Sequence, residues 1–340
     1  VSTLIMAELP APRESHIFIK GDFTRLGERV APAAPAALPT IEVERPNRLD
    51  LARWLFEADH PLTARVMVNR IWQQYFGRGL VETENDFGTQ GIPPTHPELL
   101  DWLAVEFKHQ QWSLKALHRL IVASATYRQS SRARPDLEIV DPINKLLARQ
   151  SRLRLDAEIV RDVALAASGR LSTRLGGPPV YPPQPDGVMT LGQSRRAWTP
   201  SEGEDRYRRG LYTHFWRATP HPALAVFDAA DGFSTCTRRL RSNTPLQALT
   251  LLNDRQFFEL AGALGERIQN EGGPDDASRI AFAFRLCVAR DPAQDETRRV
   301  ADLLRTLRET HGAEPAASAP EAWATVARVL LNLDETITRE

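Results

Sequence analysis

Along most of this chain apolar residues recur at intervals of three and four, the period of a helix with one buried face. Asn47 can cap a first helix with Asp50 at its third position, and Leu51, Trp54, Leu55 and Ala58 form its stripe. A second helix is expected from Pro61, with Asp59 ahead of it as the cap. It is apolar on two sides, through Met67, Ile71 and Tyr75 and through Val68, Trp72 and Phe76, with one polar stripe, Arg65, Asn69 and Gln73, between them. A helix so apolar belongs in a core, so its polar stripe meets another polar element or lines a cleft. Thr95 and Glu98 read as a capping box before Leu99, Leu100, Trp102, Leu103 and Phe107. Further helices are expected over 113–128, 141–170 (Gly169 as C-cap), 245–270, 277–290, 293–310 and 321–335. Thr244-Pro245-Leu246-Gln247 is a capping box with Pro at the first helical position, and Asp291-Pro292-Ala293-Gln294 reads as a second start of that kind.

Strand patterning is sparse. Ile17 and Ile19 alternate with polar residues in 14–21, and RGLYTHFW at 209–216 reads as a strand. Residues 31–39, APAAPAALP, form an extended linker or strap, and 76–94 a long Gly-rich loop. GGPPVYPPQPDG at 176–187 is too proline-rich for a helix and marks a boundary or a long functional loop, with Arg195 and Arg196 together beyond it. The expected fold is mainly α, a multi-helix globular domain with a few short strands and long Gly/Pro-rich loops. Its parts are a tail and linker over 1–44, a helical half over 45–175, a loop-rich segment over 176–244 and a second helical half over 245–340.

Composition narrows the classes of function. The 340 residues hold 43 Lys+Arg and 43 Asp+Glu, so nucleic-acid or anionic-membrane binding through global charge is excluded. Nearly all the positive charge is Arg, which favours bidentate pairing with carboxylates, sulfates or phosphates. Two cysteines make no disulfide framework, no haem-attachment string occurs, and no apolar run is long enough for a membrane span. The chain opens on Val1 without a basic and then apolar leader, which suggests the C-terminal part of a longer polypeptide.

Reactive side chains concentrate in TPHPALAVFDAADGFSTCTRRLRSNTPLQ, residues 219–247. Asp86-Phe87-Gly88 copies a kinase string but lacks its companion motifs, and the spacing of Asp228 and Asp231 is not that of a calcium loop. The eight His show no local zinc spacing, so no metal site is expected. Cys287 shares a helix face with Ile280, Phe284 and Val288 and reads as a buried thiol. Cys236, two residues before Arg238, would be a nucleophile only with a base such as His221 in reach. What stands out is a set: His221, Asp228 and Asp231 as candidate catalytic groups, with Arg238, Arg239, Asn69, Asp86 and Trp216 as candidate ligand contacts. Such carboxylates and guanidiniums either neutralise one another in a buried network or bind an anionic or hydroxyl-rich ligand, with Trp198 and Trp216 stacking on sugar faces.

RLDLARWLFEADHPLTARVMVNRIWQQYFGRGLVETENDFGTQGIPPTHPELLDWLA, WSLKALHRLIVASATYRQS, RLDAEIVRD, GGPPV, RRGLYTHFWRATPHPALAVFDAADGFSTCTRR and NTPLQALTLLND occur in that order. Over about residues 45–335 the chain thereby resembles the planctomycete-type domain of unknown function 1553. Residues 1–40 resemble the tail of its usual upstream partner, domain of unknown function 1549. FDAADG departs from the pattern, which has Pro in place of Ala230. The resemblance implies an extracytoplasmic (periplasmic or secreted) parent protein, with c-type haem in an upstream domain and no cofactor in this chain. It carries no assigned activity. Two functions are therefore expected as alternatives. One is polysaccharide or glycoside processing with a haem-bearing partner domain. The other is a non-catalytic scaffold or carbohydrate-binding domain of a cell-surface complex. The implied partners are the upstream domains of the same polypeptide and glycans.

Overall fold

The computed structural model describes residues 2–11, 13–137, 139–190, 197–310 and 319–339. Arg195 and Arg196 lie outside the described residues. The chain is mainly α and divides into two compact units, 1–127 and 128–340, so the division falls inside the expected 45–175 half.

In the first unit β1 (Ser15–Phe18) and β2 (Leu26–Val30) form an antiparallel hairpin with a bulge between His16 and Phe18. Four helices follow: α1 (Arg48–Leu55), α2 (Thr63–Phe76), α3 (Pro97–His109) and α4 (Leu114–Ala123). Asn47 and Asp50 form the expected capping box on α1. The start of α2 differs from expectation. His60, buried against Trp54, turns Nδ1 towards the N–H groups of Leu62 and Thr63 at 3.4 and 3.3 Å, while Asp59 stays exposed. The Thr95–Glu98 box does not form either. Both the N–H and the hydroxyl of Thr95 donate to the Leu80 carbonyl, so Thr95 ties the preceding loop down instead of capping α3.

In the second unit the helix expected over 141–170 is mostly loop. Asn144 and Leu147 sit at φ 53° and 58°, and the Asp141 carboxylate takes the N–H groups of Lys145 and Leu146 at 2.8 Å each, which together break the helical register. A short β3 (Leu153–Arg154) then pairs antiparallel with β4 (Thr338–Arg339). After it come α5 (Ala157–Ala167), α6 (Pro222–Val226), α7 (Pro245–Asn253), α8 (Arg255–Glu271), α9 (Asp276–Val288), α10 (Gln294–Thr310), α11 (Ala319–Leu331) and α12 (Asp334–Ile337). The expected 245–270 helix breaks at Asp254, whose carboxylate caps the Gln256 N–H at 2.9 Å. Asp291 does not start α10: it pairs with Arg285 at 2.6 Å, and Glu296 reaches back to the Ala293 N–H at 2.7 Å.

The core of this unit lies where α8 and α11 cross, with Leu260, Ala261, Leu264 and Ile268 buried with Trp323, Val326, Ala327 and Leu330. A Cβ on Gly265 would stand 2.7 Å from the Ala324 nitrogen, so only glycine allows this approach. No helix among the described residues is long and apolar enough to cross a membrane.

Candidate functional site

The Asp/Arg set of 219–247 is built around α5. Residues 221–226 make one helical turn packed on α5, and the chain leaves it through Asp228, held at φ 60°. A left-handed Asp is uncommon and needs fixed partners for its side chain. It has them. One carboxylate oxygen takes a short contact from Arg154 of β3, and Ser242 donates its N–H at 2.8 Å and its hydroxyl at 2.9 and 3.0 Å. Behind Ser242, the buried Gln247 amide bonds the Ser242 hydroxyl at 3.1 Å and the Val226 carbonyl at 2.9 Å. Gln247 thus closes the capping box and the loop together.

Two further ion pairs fasten the same loop to the start of α5. Arg239 forks onto both oxygens of Glu158 at 2.5 and 3.1 Å, and Arg241 faces Asp156 at 3.6 Å. Burial opposes charge on Glu158, yet the Arg239 guanidinium holds its carboxyl below the usual range. Burial also pulls the Arg154 guanidinium down, against the opposing pull of Asp228. Asp231 stays out of this network; its carboxylate folds back onto the Phe233 N–H at 2.9 Å in an exposed turn. Arg238 is exposed, and its carbonyl accepts from the Cys236 thiol at 3.5 Å. Cys236 is exposed too, whereas Cys287 is buried as expected, its thiol pushed up to about 12.

His221 is 2% exposed and faces away from this loop towards Pro183, with Nε2 3.0 Å from the Pro183 carbonyl. A carbonyl only accepts, so Nε2 carries the proton. Burial lowers the imidazole to about 4, and it is neutral near pH 7. Its partner explains the proline-rich segment. Prolines lack N–H groups, so 178–185 cannot pair as an ordinary strand, yet its buried carbonyls still require donors. Side chains supply them: Arg208 bonds the carbonyls of Pro178 at 3.1 Å and of Gly176, Trp198 Nε1 bonds Pro182 at 2.7 Å, and His221 bonds Pro183. Backbone donors serve two residues of the segment, Val180, paired with Tyr212 and His214, and Tyr181, whose carbonyl accepts from the Ser201 N–H, so 209–216 contributes a single bridge and not the expected strand. The reason is Gly210, pressed against the Glu158 backbone, with its N–H taken by Asp162 at 2.6 Å, which turns the chain into a 3-10 turn.

Trp216, His214, Tyr181, Trp198 and His221 form a run of ring contacts with centroids 4.4 to 5.8 Å apart. Trp216 packs at one end of this run. Next to the other end, Trp198 lines a cavity of about 250 Å³, shared with Gln184, Asp186, Met189, Arg206 and Arg255. Gln184 is 8% exposed, and its Oε1 has no hydrogen-bond partner among the described residues. Arg206 forks onto Glu259 at 3.0 and 2.5 Å, and the Tyr207 hydroxyl joins the same carboxylate at 2.8 Å. That carboxylate lies below its usual range, held there first by Arg206.

Asn69 and Asp86 belong to the first unit. Asn69 is fully buried and clamps both backbone groups of Val81, accepting its N–H at 2.8 Å and donating to its carbonyl at 3.0 Å. Asp86 folds back onto the Gly88 N–H at 2.8 Å. A cavity of about 520 Å³ lies nearby between Phe87, Ile92, Pro93 and Leu100, with Arg65 and Asp101 paired across it at 2.6 Å.

Sequence reading missed Arg154, Glu158, Arg161, Gln184, Arg208 and Arg255. Arg161 is buried, and it donates to Gln256 at 3.0 Å and to the carbonyls of Arg206 and Arg208. The one available signal was the proline run itself, whose carbonyls have to find side-chain donors.

A family described as PSD1, protein of unknown function (DUF1553), matches residues 47–304. Neither the curated proteins nor the solved structures contain a match to this chain.

Proposed function

Since the chain belongs to the DUF1553 family, whose description names no activity, we propose a function from the site: a non-catalytic, carbohydrate-binding domain. The observation that carries this reading is a division of labour. The candidate catalytic carboxylate Asp228 is consumed by Arg154 and Ser242, and His221 by a backbone carbonyl. The nearby cavity, by contrast, keeps an indole and charged groups at its wall. An aromatic face with a few fixed polar groups is how small sites orient polar ligands. Beside the haem-bearing upstream domains that the family resemblance implies, the domain would hold glycan for extracytoplasmic polysaccharide processing.

The test is calorimetric titration of the chain with a panel of neutral and acidic oligosaccharides, beside an assay for glycan turnover. Binding without turnover, weakened by Trp198→Ala and retained in Asp228→Asn, is the expected result. Turnover that Asp228→Asn abolishes would overturn the non-catalytic reading.

A further inference from the structure

Arg255 opens α8, and the residue one turn on, Glu259, is the partner an i,i+4 helical pair would give it. That pair does not form. Arg206 and the Tyr207 hydroxyl occupy the Glu259 carboxylate instead. Arg255 is left with only a longer-range attraction to Glu259, and it makes no hydrogen bond or ion pair among the described residues. Glu259 is thus spent on Arg206, and the exposed Arg255 guanidinium stands at the cavity wall. The N–H groups at this helix start are not the attraction, because Asp254 already caps Gln256.

Trp198 is the second, independent observation: its Nε1 is spent on the Pro182 carbonyl, and its ring lines the same cavity as a wall on which a sugar face packs. The amide oxygen of Gln184 is sealed from solvent and is not offered to a ligand. Asp186, exposed in the turn beside it, puts an acceptor at the cavity's mouth. An acceptor calls for a hydroxyl, and a planar fork of unused donors calls for a carboxylate or a sulfate ester.

We infer that the cavity takes an acidic sugar, its charged group read by Arg255 and its ring packed on Trp198. This rests on the reading of the cavity as a glycan site. Both kinds of acidic group share the chemistry, and the experiment separates them. The full chain is titrated by calorimetry with an oligogalacturonate, a sulfated galactan oligomer and the matching neutral galactan oligomer, at low and at high salt. One or both acidic probes should bind at least tenfold more tightly than the neutral one at low salt. The gap should narrow as salt rises. Arg255→Gln should bring the acidic probe down to the neutral level, Arg255→Lys should keep part of the gap, and Arg305→Gln on exposed α10 should change nothing. Tighter binding of the uronate alone identifies a carboxylate, and of the galactan sulfate alone a sulfate ester. Equal affinity for all three probes, or an acidic preference that survives Arg255→Gln, overturns the assignment to Arg255 and leaves the glycan site standing. Failure of every probe to bind overturns both.

Discussion

His221 and Asp228 are seven residues apart and do different work. The imidazole is neutral in the fold, at about 4, against 6.5 when unfolded. Between these values the unfolded chain holds a proton that the folded chain does not, so stability falls as pH drops from about 6.5 to 4. At about 1.4 kcal/mol per unit the loss is on the order of 3 kcal/mol. Urea unfolding across this pH range should show the slope, and His221→Gln should flatten it. Asp228 is bound instead to a cation. Asp228→Asn keeps a residue that tolerates the left-handed backbone but leaves the Arg154 guanidinium without its counter-charge. With the Asp228 side chain 20% exposed, the expected cost is about 2 kcal/mol, below the range for fully buried pairs. Thermal melts would measure it; an unchanged melting temperature would show that the Arg154 pair adds nothing to the hold on the loop.

At the scale of elements, the proline-rich segment and the helix starts follow one rule, that each buried backbone group finds a partner. Helix starts find theirs within a few residues, as Asn47 and Asp50 do, so they can be read from sequence. The carbonyls of 176–183 find theirs in Arg208, Trp198 and His221, 16 to 38 residues away. The capping box at Thr95 failed for a related reason: Leu80 offered an acceptor that local pattern does not contain. Between helices, Gly265 sets the distance of α8 from α11. Gly265→Val would place methyl groups into the Trp323–Ala324 backbone and should cost about 3 kcal/mol, read as a drop in the urea midpoint.

At the scale of the molecule, each unit has its own buried cluster, that of the first including Trp54, Val68, Trp72, Leu100, Leu103 and Phe107. Separate cores predict separate unfolding steps. Scanning calorimetry should show two transitions. Asn69→Ala, which leaves both backbone groups of Val81 unpaired, should lower one of them, and Gly265→Val the other. A single transition shifted by both variants would mean the two cores unfold together.

The mainly helical class, the capped starts at Asn47 and Thr244 and the stripe of Trp323, Val326, Ala327 and Leu330 were legible from sequence. Helical periodicity and capping are local, set by residues three and four apart. The reactive look of residues 219–247 was legible too, but not its meaning. Asp228 and Arg239 read as a site, but Arg154 and Glu158, 74 and 81 residues earlier, occupy them. Arg255 carried no signal, because what marks it is the lack of a partner, and that exists only once all other groups have found theirs. Tertiary structure decided which polar groups are spent on the fold and which are left for a ligand, since burial and pairing are properties of neighbours in space.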